Sequence, residues 1–233
     1  MTCNTFFRLA LTAVIIILTL FTEIYSAVAM GCFPAVGKRP VPALAKGTIM
    51  EQILNEQGQF SCLSEKETKL YNMVNQFRKE FSLPPIPNSR ALDMVARVHA
   101  VDLYENKPEK GMDSRGKPCN KHSWSDKGFW TPVCYTEDHC YAKLMWEKPR
   151  EIAGNVYTYP GFENVYWTSA EEVSPKRVIA AWAKNPGHCD LILESGIWRD
   201  FRMNALGVAI YKNIAIIWIG EESDSLGPLK SCN

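Results

Sequence analysis

The pattern of apolar and polar positions along the chain predicts helices first and strands later. Beyond Ser64 apolar residues recur at helical spacing, and Ser64 with Glu67 has the form of a capping box. This predicts a helix that ends before the proline-rich segment Leu83 to Pro87. Ser89 is the expected cap of a second helix, which carries His99 on its apolar face.

Strand patterns occupy the second half of the chain. Asn155 to Tyr157 and Glu163 to Trp167 are rich in aromatic and β-branched residues, which favour strands. Leu206 to Tyr211 and Ile214 to Ile219 flank the dipeptide Lys212-Asn213 and predict a β-hairpin. A two-residue turn joins only antiparallel strands, so the sheet is expected to be antiparallel.

A third helix is predicted between the strands. Ser174-Pro175 is a typical helix start, and the apolar face with Val178 and Trp182 ends at Asn185-Pro186-Gly187. Residues 30–64 and 105–150 show no sustained period and are interpreted as an arm and a long irregular loop. Together these elements predict an α+β fold in which helices cover the sheet.

The first residues have the pattern of a secretory signal. Arg8 precedes an apolar run from Leu9 to Phe21, and Ala27-Val28-Ala29 follows as a small-residue cleavage site. The run is about thirteen residues long, whereas a membrane-spanning helix needs roughly twenty. We therefore expect cleavage after Ala29 and a secreted or cell-envelope protein, with no transmembrane span in the mature chain.

Length and charge narrow the possibilities further. The 233 residues carry a net charge of +1, which gives no electrostatic reason to expect nucleic-acid binding. The expected organisation is a signal peptide at 1–29, an arm at 30–64, one domain at 65–222 and a tail at 223–233.

Seven of the eight cysteines would survive cleavage, which is typical of a chain bound for a disulfide-forming compartment. Cys32 lies in Ala29-Met30-Gly31-Cys32, which is similar to a degenerate lipoprotein signal. Either Cys32 is lipidated and six cysteines pair, or one thiol stays free or intermolecular. The pairing itself is not determined by the sequence.

The four histidines suggest the chemistry. His122 and His188 lie in segments interpreted as loops, and Glu163 begins a strand. His99 is interpreted as a satisfied core histidine and His139 as belonging to a disulfide-bounded loop, so both are left out of the site. A Cys189-His188 dyad is disfavoured because adjacent residues rarely face each other.

Six motifs in order resemble the CAP superfamily, also called the cysteine-rich secretory protein, antigen 5 and pathogenesis-related 1 family. The motifs include Tyr71 to Arg78, Ala96 to Ala100, His122-Ser123 and Phe162 to Val165. Ala181-Trp182 with Asn185 to His188, and Leu206 to Val208 with Trp218, complete the series.

The resemblance implies a three-layer α-β-α sandwich with His122, Glu163 and His188 in a cleft. Many members carry a second acid after the helix tryptophan, but Ala183, Lys184 and Asn185 follow Trp182 here. The shortened set resembles that of bacterial members.

Several functions stay open for this cleft. Two imidazoles and a carboxylate suit zinc or another divalent cation, or Glu163 orients an imidazole through a hydrogen bond. The leading expectation is a non-catalytic exported binding module for a metal, a lipid or another ligand, such as an extracellular protein. The alternatives are a metal-assisted hydrolase and a structural envelope or matrix protein. The many aromatic residues either line a ligand groove or pack the core.

Overall fold

The computed structural model describes residues 48–232. Its elements alternate in the order helices, strand, helices, hairpin. The helices are α1 (Ile49–Leu54), α2 (Glu65–Glu80), α3 (Arg90–Asn106), α4 (Ala142–Trp146), α5 (Lys148–Ala153), α6 (Pro175–Trp182) and α7 (Pro186–Ile192). The strands are β1 (Phe162–Trp167), β2 (Ala205–Tyr211) and β3 (Ile214–Gly220). Short 3-10 turns lie at Gly58–Phe60, Pro108–Lys110 and Gly196–Trp198.

The two long helices begin where the sequence predicts. Ser64 and Glu67 form the reciprocal capping box of α2, with each side chain bonded to the other residue's backbone N–H. Ser89 caps α3 by accepting from the N–H of Leu92 at 3.1 Å. Both predicted starts are confirmed.

The predicted hairpin is also confirmed, and it forms most of the sheet. The strand order is β1-β3-β2, and both pairings are antiparallel. Lys212 adopts a φ of 52° in the turn, a left-handed conformation that such a two-residue turn requires. The strand β3 is therefore the central strand, and all seven of its residues are buried.

Alternate residues of β3 belong to two different cores, which shows that helices cover both faces of the sheet. Ile216 and Trp218 pack in the core that includes α1, α3 and α5. Ile217 and Ile219 pack in the core that includes α2, α6 and α7. Because side chains of a strand alternate between faces, this division makes the fold a three-layer α-β-α sandwich.

Gly207 of β2 allows helix α3 to pack directly on the sheet. A Cβ atom on Gly207 of β2 would overlap the backbone carbonyl group of Leu92 in α3. No side chain fits there, so α3 packs directly on the backbone of β2. This contact holds the most deeply buried helix against the sheet.

Three predictions of local structure are wrong. Asn155 to Tyr157 is not a strand, because the N–H of Val156 bonds to the carbonyl of Ala153 in the turn that follows α5. The arm contains α1, whose Thr48 side chain caps it. The stretch 105–150 contains α4 and the start of α5, and Pro149 stands near the start of α5 where proline is tolerated.

The signal segment 1–29, the arm residues 30–47 and Cys32 lie outside the described residues, as does Asn233. Within residues 48–232 the disulfides Cys62–Cys232 and Cys119–Cys134 are formed, and no cysteine there is a free thiol. Along the same stretch there is no helix of the length and apolar character needed to cross a membrane.

Candidate functional site

Glu163 is the centre of the polar cluster. It lies near the start of β1, beside Trp218 of the central strand, and its side chain is fully buried. Its Oε1 atom is hydrogen-bonded to Nδ1 of His99, and its Oε2 atom to Nδ1 of His122 at 2.8 Å. Both carboxylate oxygens are therefore occupied by imidazoles.

His99 belongs to this cluster although sequence reasoning left it out. It lies on α3, and its Nε2 atom contacts the carbonyl of Ser123 at 3.0 Å. Its ring stacks on Trp124 with the centroids 4.1 Å apart. The prediction of a satisfied buried histidine is confirmed, but one of its two partners is the site carboxylate. Its position on a buried helix face was the available signal, and that signal alone could not identify the partner.

His122 lies on a loop that is fixed from both sides. Its backbone N–H donates to Oδ1 of Asn120 at 3.0 Å, and Cys119 is bonded to Cys134. Trp124 pairs with Val133 through two backbone hydrogen bonds. The loop therefore holds the His122 ring against Glu163 while 22% of the side chain stays exposed.

His188 reaches the site from a helix and not from a loop, which corrects the sequence interpretation. Asn185-Pro186-Gly187 ends α6 but also begins α7, because Oδ1 of Asn185 accepts from the N–H of His188 at 3.2 Å. Asn164 of β1 donates to the His188 carbonyl at 2.9 Å and joins this helix to the strand. The ring centroids of His188 and His122 lie 6.5 Å apart.

The ionisation of the cluster follows from burial and neighbouring charge. Burial favours a neutral Glu163, but the charges and hydrogen bonds of His99 and His122 outweigh it and hold the pKa of Glu163 below its ordinary value. Burial, with the charge of His122, lowers the pKa of His188 to about 4. At neutral pH the site therefore holds a carboxylate beside an uncharged His188 imidazole.

The hydrogen bonds also determine which His122 nitrogen remains free to contact a ligand. An ionised carboxylate only accepts hydrogen bonds, so Nδ1 of His122 donates to Glu163. In a neutral imidazole the other nitrogen, Nε2, then carries the lone pair. Glu163 thus acts on His122 as the orienting carboxylate that the sequence left as an alternative.

In this arrangement Glu163 would have to give up a hydrogen bond to an imidazole before it could bind a metal ion. Both oxygens of Glu163 are already bonded, and residues 48–232 contain no group of three His, Cys, Asp or Glu placed to hold a metal ion. His122 and His188 are the remaining donors, fewer than the three protein ligands of typical catalytic zinc sites. Zinc or another divalent cation at His122, Glu163 and His188 stays a prediction.

Tyr135 and His139 extend the row of rings away from His188. The rings of His122 and Tyr135 meet edge to face at 5.3 Å, and the Tyr135 hydroxyl lies 2.9 Å from Nδ1 of His139. Burial, together with the negative charges of Glu163 and Glu137, raises the pKa of Tyr135 to about 12. Tyr135 is therefore a neutral hydroxyl at this end of the site.

The comparisons with known proteins give structural matches only. No protein-family model matches the chain, and no curated protein is similar enough in sequence to count as a match. An extracellular protein containing an SCP domain from Bacillus anthracis is similar with 15% identity and a TM-score of 0.44. The match covers 67% of this chain and 40% of that protein.

Two further structures are similar to the same degree. A cysteine-rich secretory protein from Staphylococcus aureus has 18% identity and a TM-score of 0.41, over 67% of this chain and 39% of that one. An outer surface protein from Borrelia burgdorferi has 16% identity and a TM-score of 0.43, over 68% of this chain and 95% of that one. The chain thus spans about 40% of the length of the first two proteins.

The fold and the positions of the three site residues agree with the expectation from the sequence. The six motifs occur in order on an α-β-α sandwich, and three of them bring His122, Glu163 and His188 together. This is the arrangement that the resemblance to the CAP superfamily implies.

Proposed function

We propose that this chain is an exported, non-catalytic CAP/SCP-like binding module whose ligand contacts His122 and His188. One observation carries the proposal: Glu163 is bonded through both oxygens to His99 and His122. A carboxylate used in this way orients an imidazole and is not positioned to activate a water molecule. The proposed site therefore presents the imidazoles of His122 and His188 to a ligand. The Glu163 carboxylate holds the His122 ring in place.

The absence of an activated nucleophile supports binding over hydrolysis. Among residues 48–232, no serine hydroxyl or cysteine thiol is hydrogen-bonded to the His122 or His188 ring. The nearby Ser123 hydroxyl is instead bonded to the backbone of Tyr135. A nucleophile adjacent to a base, which hydrolases of the serine or cysteine type require, is not formed by these residues.

The ligand chemistry follows from the two imidazoles. Uncharged imidazoles bind divalent transition metals through a lone pair, and they also exchange hydrogen bonds with polar groups of a larger ligand. A lipid or an extracellular protein is proposed as the partner on the basis of the sequence resemblance. In the zinc proposal the ligands are His122 and His188, and Glu163 orients the His122 ring through its hydrogen bond.

Zinc titration by calorimetry at neutral pH tests the metal proposal, with the wild type compared with His122→Ala and His188→Ala. We expect each variant to lose zinc binding and the wild type to lose it as the pH falls through about 4, where the His188 imidazole becomes protonated. His139→Ala is the matched control, because His139 is exposed and lies beyond Tyr135. Equal zinc affinity in all four proteins would reject a metal role for the cleft.

Export is proposed from the signal pattern and from the disulfides Cys62–Cys232 and Cys119–Cys134. Mass spectrometry of the mature N-terminus tests it. A chain that begins at Met30 indicates release after cleavage, whereas a lipid on Cys32 indicates a tethered protein. An uncleaved chain would contradict both forms.

A further inference from the structure

A cavity lies beside loop residues 119–121, which precede His122. It measures about 760 Å³, within the range of small-molecule sites. The end of α3, the Pro108–Lys110 turn and loop residues 119–121 form one wall. The end of β1 and the start of β3 form the other. His122, Glu163 and His188 are not among its lining residues, although Cys119 and Asn120 of the His122 loop are.

Two exposed aromatic rings line this cavity. Trp167, the last residue of β1, is 49% exposed, and Tyr104 of α3 is 37% exposed. Trp167 is paired with Ile214 in the sheet, and Tyr104 packs edge to face on Tyr211 at 5.5 Å. The backbone and the packing thus hold flat apolar surfaces in place while they remain open to a ligand.

Near Trp167, one carboxylate oxygen of Glu109 is buried without a hydrogen-bond partner among the described residues. Lys121 donates to Oε1 of Glu109 at 2.8 Å and lies 5.2 Å from the centre of the Trp167 ring. The Oε2 atom of Glu109 is buried and has no hydrogen-bond partner among the described residues. An unpaired buried acceptor costs free energy, so a donor supplied by a ligand would be favourable there. The Lys121 side chain is 31% exposed and can move to admit one.

Two asparagine side chains of the cavity wall each use only one of their two polar amide atoms in a hydrogen bond. Asn120 uses Oδ1 to accept from the N–H of His122, and Asn213 uses Nδ2 to donate to the carbonyl of Thr168. Within residues 48–232, the side-chain atoms Nδ2 of Asn120 and Oδ1 of Asn213 have no hydrogen-bond partner. The wall therefore offers a donor and acceptors around an aromatic surface.

The charges favour an acidic ligand. Lys107 and Lys110 line the same cavity, and neither has an ion-pair partner in the stretch of chain that the structure describes. The acids of the wall are engaged, because Glu109 pairs with Lys121 and Glu105 accepts from the Tyr211 hydroxyl at 3.1 Å.

We propose that this cavity is a carbohydrate-binding site for a saccharide that carries carboxylate or sulfate groups. The apolar face of a sugar ring stacks on Trp167, its hydroxyls donate to Glu109 and Asn213 and accept from Asn120, and its acidic group meets Lys107 and Lys110. A lipid tail would bury these polar groups without partners, and an unsubstituted anion would leave Trp167 unused.

Calorimetric titration of the full chain with the trimer of galacturonic acid tests the proposal, with the neutral galactose trimer in parallel. We expect the acidic trimer to bind and Trp167→Ala to weaken its binding about tenfold or more. Lys107→Ala/Lys110→Ala should reduce binding of the acidic trimer to the level of the neutral one. Tyr159→Ala is the matched control, since Tyr159 is 48% exposed and lies outside the cavity.

Each possible result of the titrations tests a different part of the proposal. If neither trimer binds at about 10 mM, a concentration that detects even very weak sites, the proposal is rejected. Equal affinity of the two trimers for the wild type rejects the acidic specificity, and unchanged affinity in Trp167→Ala rejects the site. If Trp167→Ala fails to fold, the Lys107→Ala/Lys110→Ala variant tests the site instead, because both lysines are exposed and lie outside the core. Unchanged affinity of that variant for the acidic trimer then rejects the proposal.

Discussion

His99 and Glu163 are hydrogen-bonded to each other in the interior, where both side chains are fully buried. One comes from α3 and the other from β1, so the bond joins two layers of the sandwich. It also fixes the carboxylate that orients His122. The orientation of His122 thus depends on a contact between two fully buried side chains.

Replacing His99 by Phe should destabilise the protein strongly. Phe keeps a ring against Trp124 but removes both nitrogens, which leaves Glu163 Oε1 and the Ser123 carbonyl without these partners. Removing one partner of a buried pair costs about 3 to 5 kcal/mol. Urea unfolding measures the change, and His139→Ala, which removes only the hydrogen bond to the Tyr135 hydroxyl, should cost about 1 kcal/mol. Equal stability of the two variants would show that the His99–Glu163 bond contributes little.

The tautomer of His122 should depend on Glu163. In the wild type we expect the proton on Nδ1, because the ionised carboxylate accepts from it. Glu163→Gln replaces one acceptor oxygen by an amide that donates, so one of the two imidazoles must change its tautomer or turn away. Nitrogen NMR of the imidazoles reports this directly. An unchanged His122 spectrum in Glu163→Gln would mean that the orienting role is wrong.

Much of this fold could be predicted from the sequence, because the deciding signals are local. The capping box at Ser64, the cap at Ser89 and the hairpin turn at Lys212 each depend on residues within a few positions. The short helices α4 and α5 could not be predicted in this way. Their sequences are too short for a periodic pattern, and tertiary packing of Met145 and Ile152 determines them.

The site was only partly predictable for a similar reason. His122, Glu163 and His188 were found through motif resemblance, and the structure brings them together. The role of His99 depends on how α3 packs against β1, a relationship between distant segments that spacing does not encode. The same is true of the cavity beside Trp167, because five separate segments form its walls.

His188 should make stability depend on pH in a defined window. Its pKa is about 4 in the folded state against 6.5 ordinarily, so between these values the unfolded chain binds more protons. Stability is therefore complete above about pH 6.5 and falls as the pH drops towards 4, by about 1 to 2 kcal/mol after allowance for partial exposure.

Urea unfolding of the wild type and His188→Gln between pH 7.5 and about 4.5 measures this loss. The variant should lack this contribution to the pH dependence. Glu163, whose pKa lies below its ordinary value, contributes a loss only at more acidic pH. An identical pH dependence of the two proteins across this window would refute the assignment to His188.

The Cys119–Cys134 disulfide should stabilise the His122 loop specifically. It closes a loop of 15 residues, for which chain entropy predicts about 3 kcal/mol. Cys119→Ser/Cys134→Ser should lower stability by about that amount and speed hydrogen exchange at the Ser123 and Trp124 amides. Cys62→Ser/Cys232→Ser, which opens a separation of 170 residues, is the control and should leave those two amides protected. Equal exchange at these amides in both variants would argue against a local role.

Gly207 should be the least replaceable glycine of the sheet. A Cβ there would overlap the Leu92 carbonyl group and the Asp93 nitrogen, which are backbone atoms that cannot move aside. Gly207→Ala must therefore push α3 away from β2, at a cost of about 3 kcal/mol or more. The displacement would carry His99 of α3 away from the sheet, so the tautomer of His122 should change as well.

Gly187→Ala is the matched control, because its Cβ would make only an ordinary 3.5 Å contact with a neighbouring side chain. Since alanine favours helix over glycine, this control should leave stability unchanged or raise it by up to about 1 kcal/mol. Thermal unfolding compares the two variants, and similar melting temperatures would contradict the direct packing of α3 on the sheet backbone.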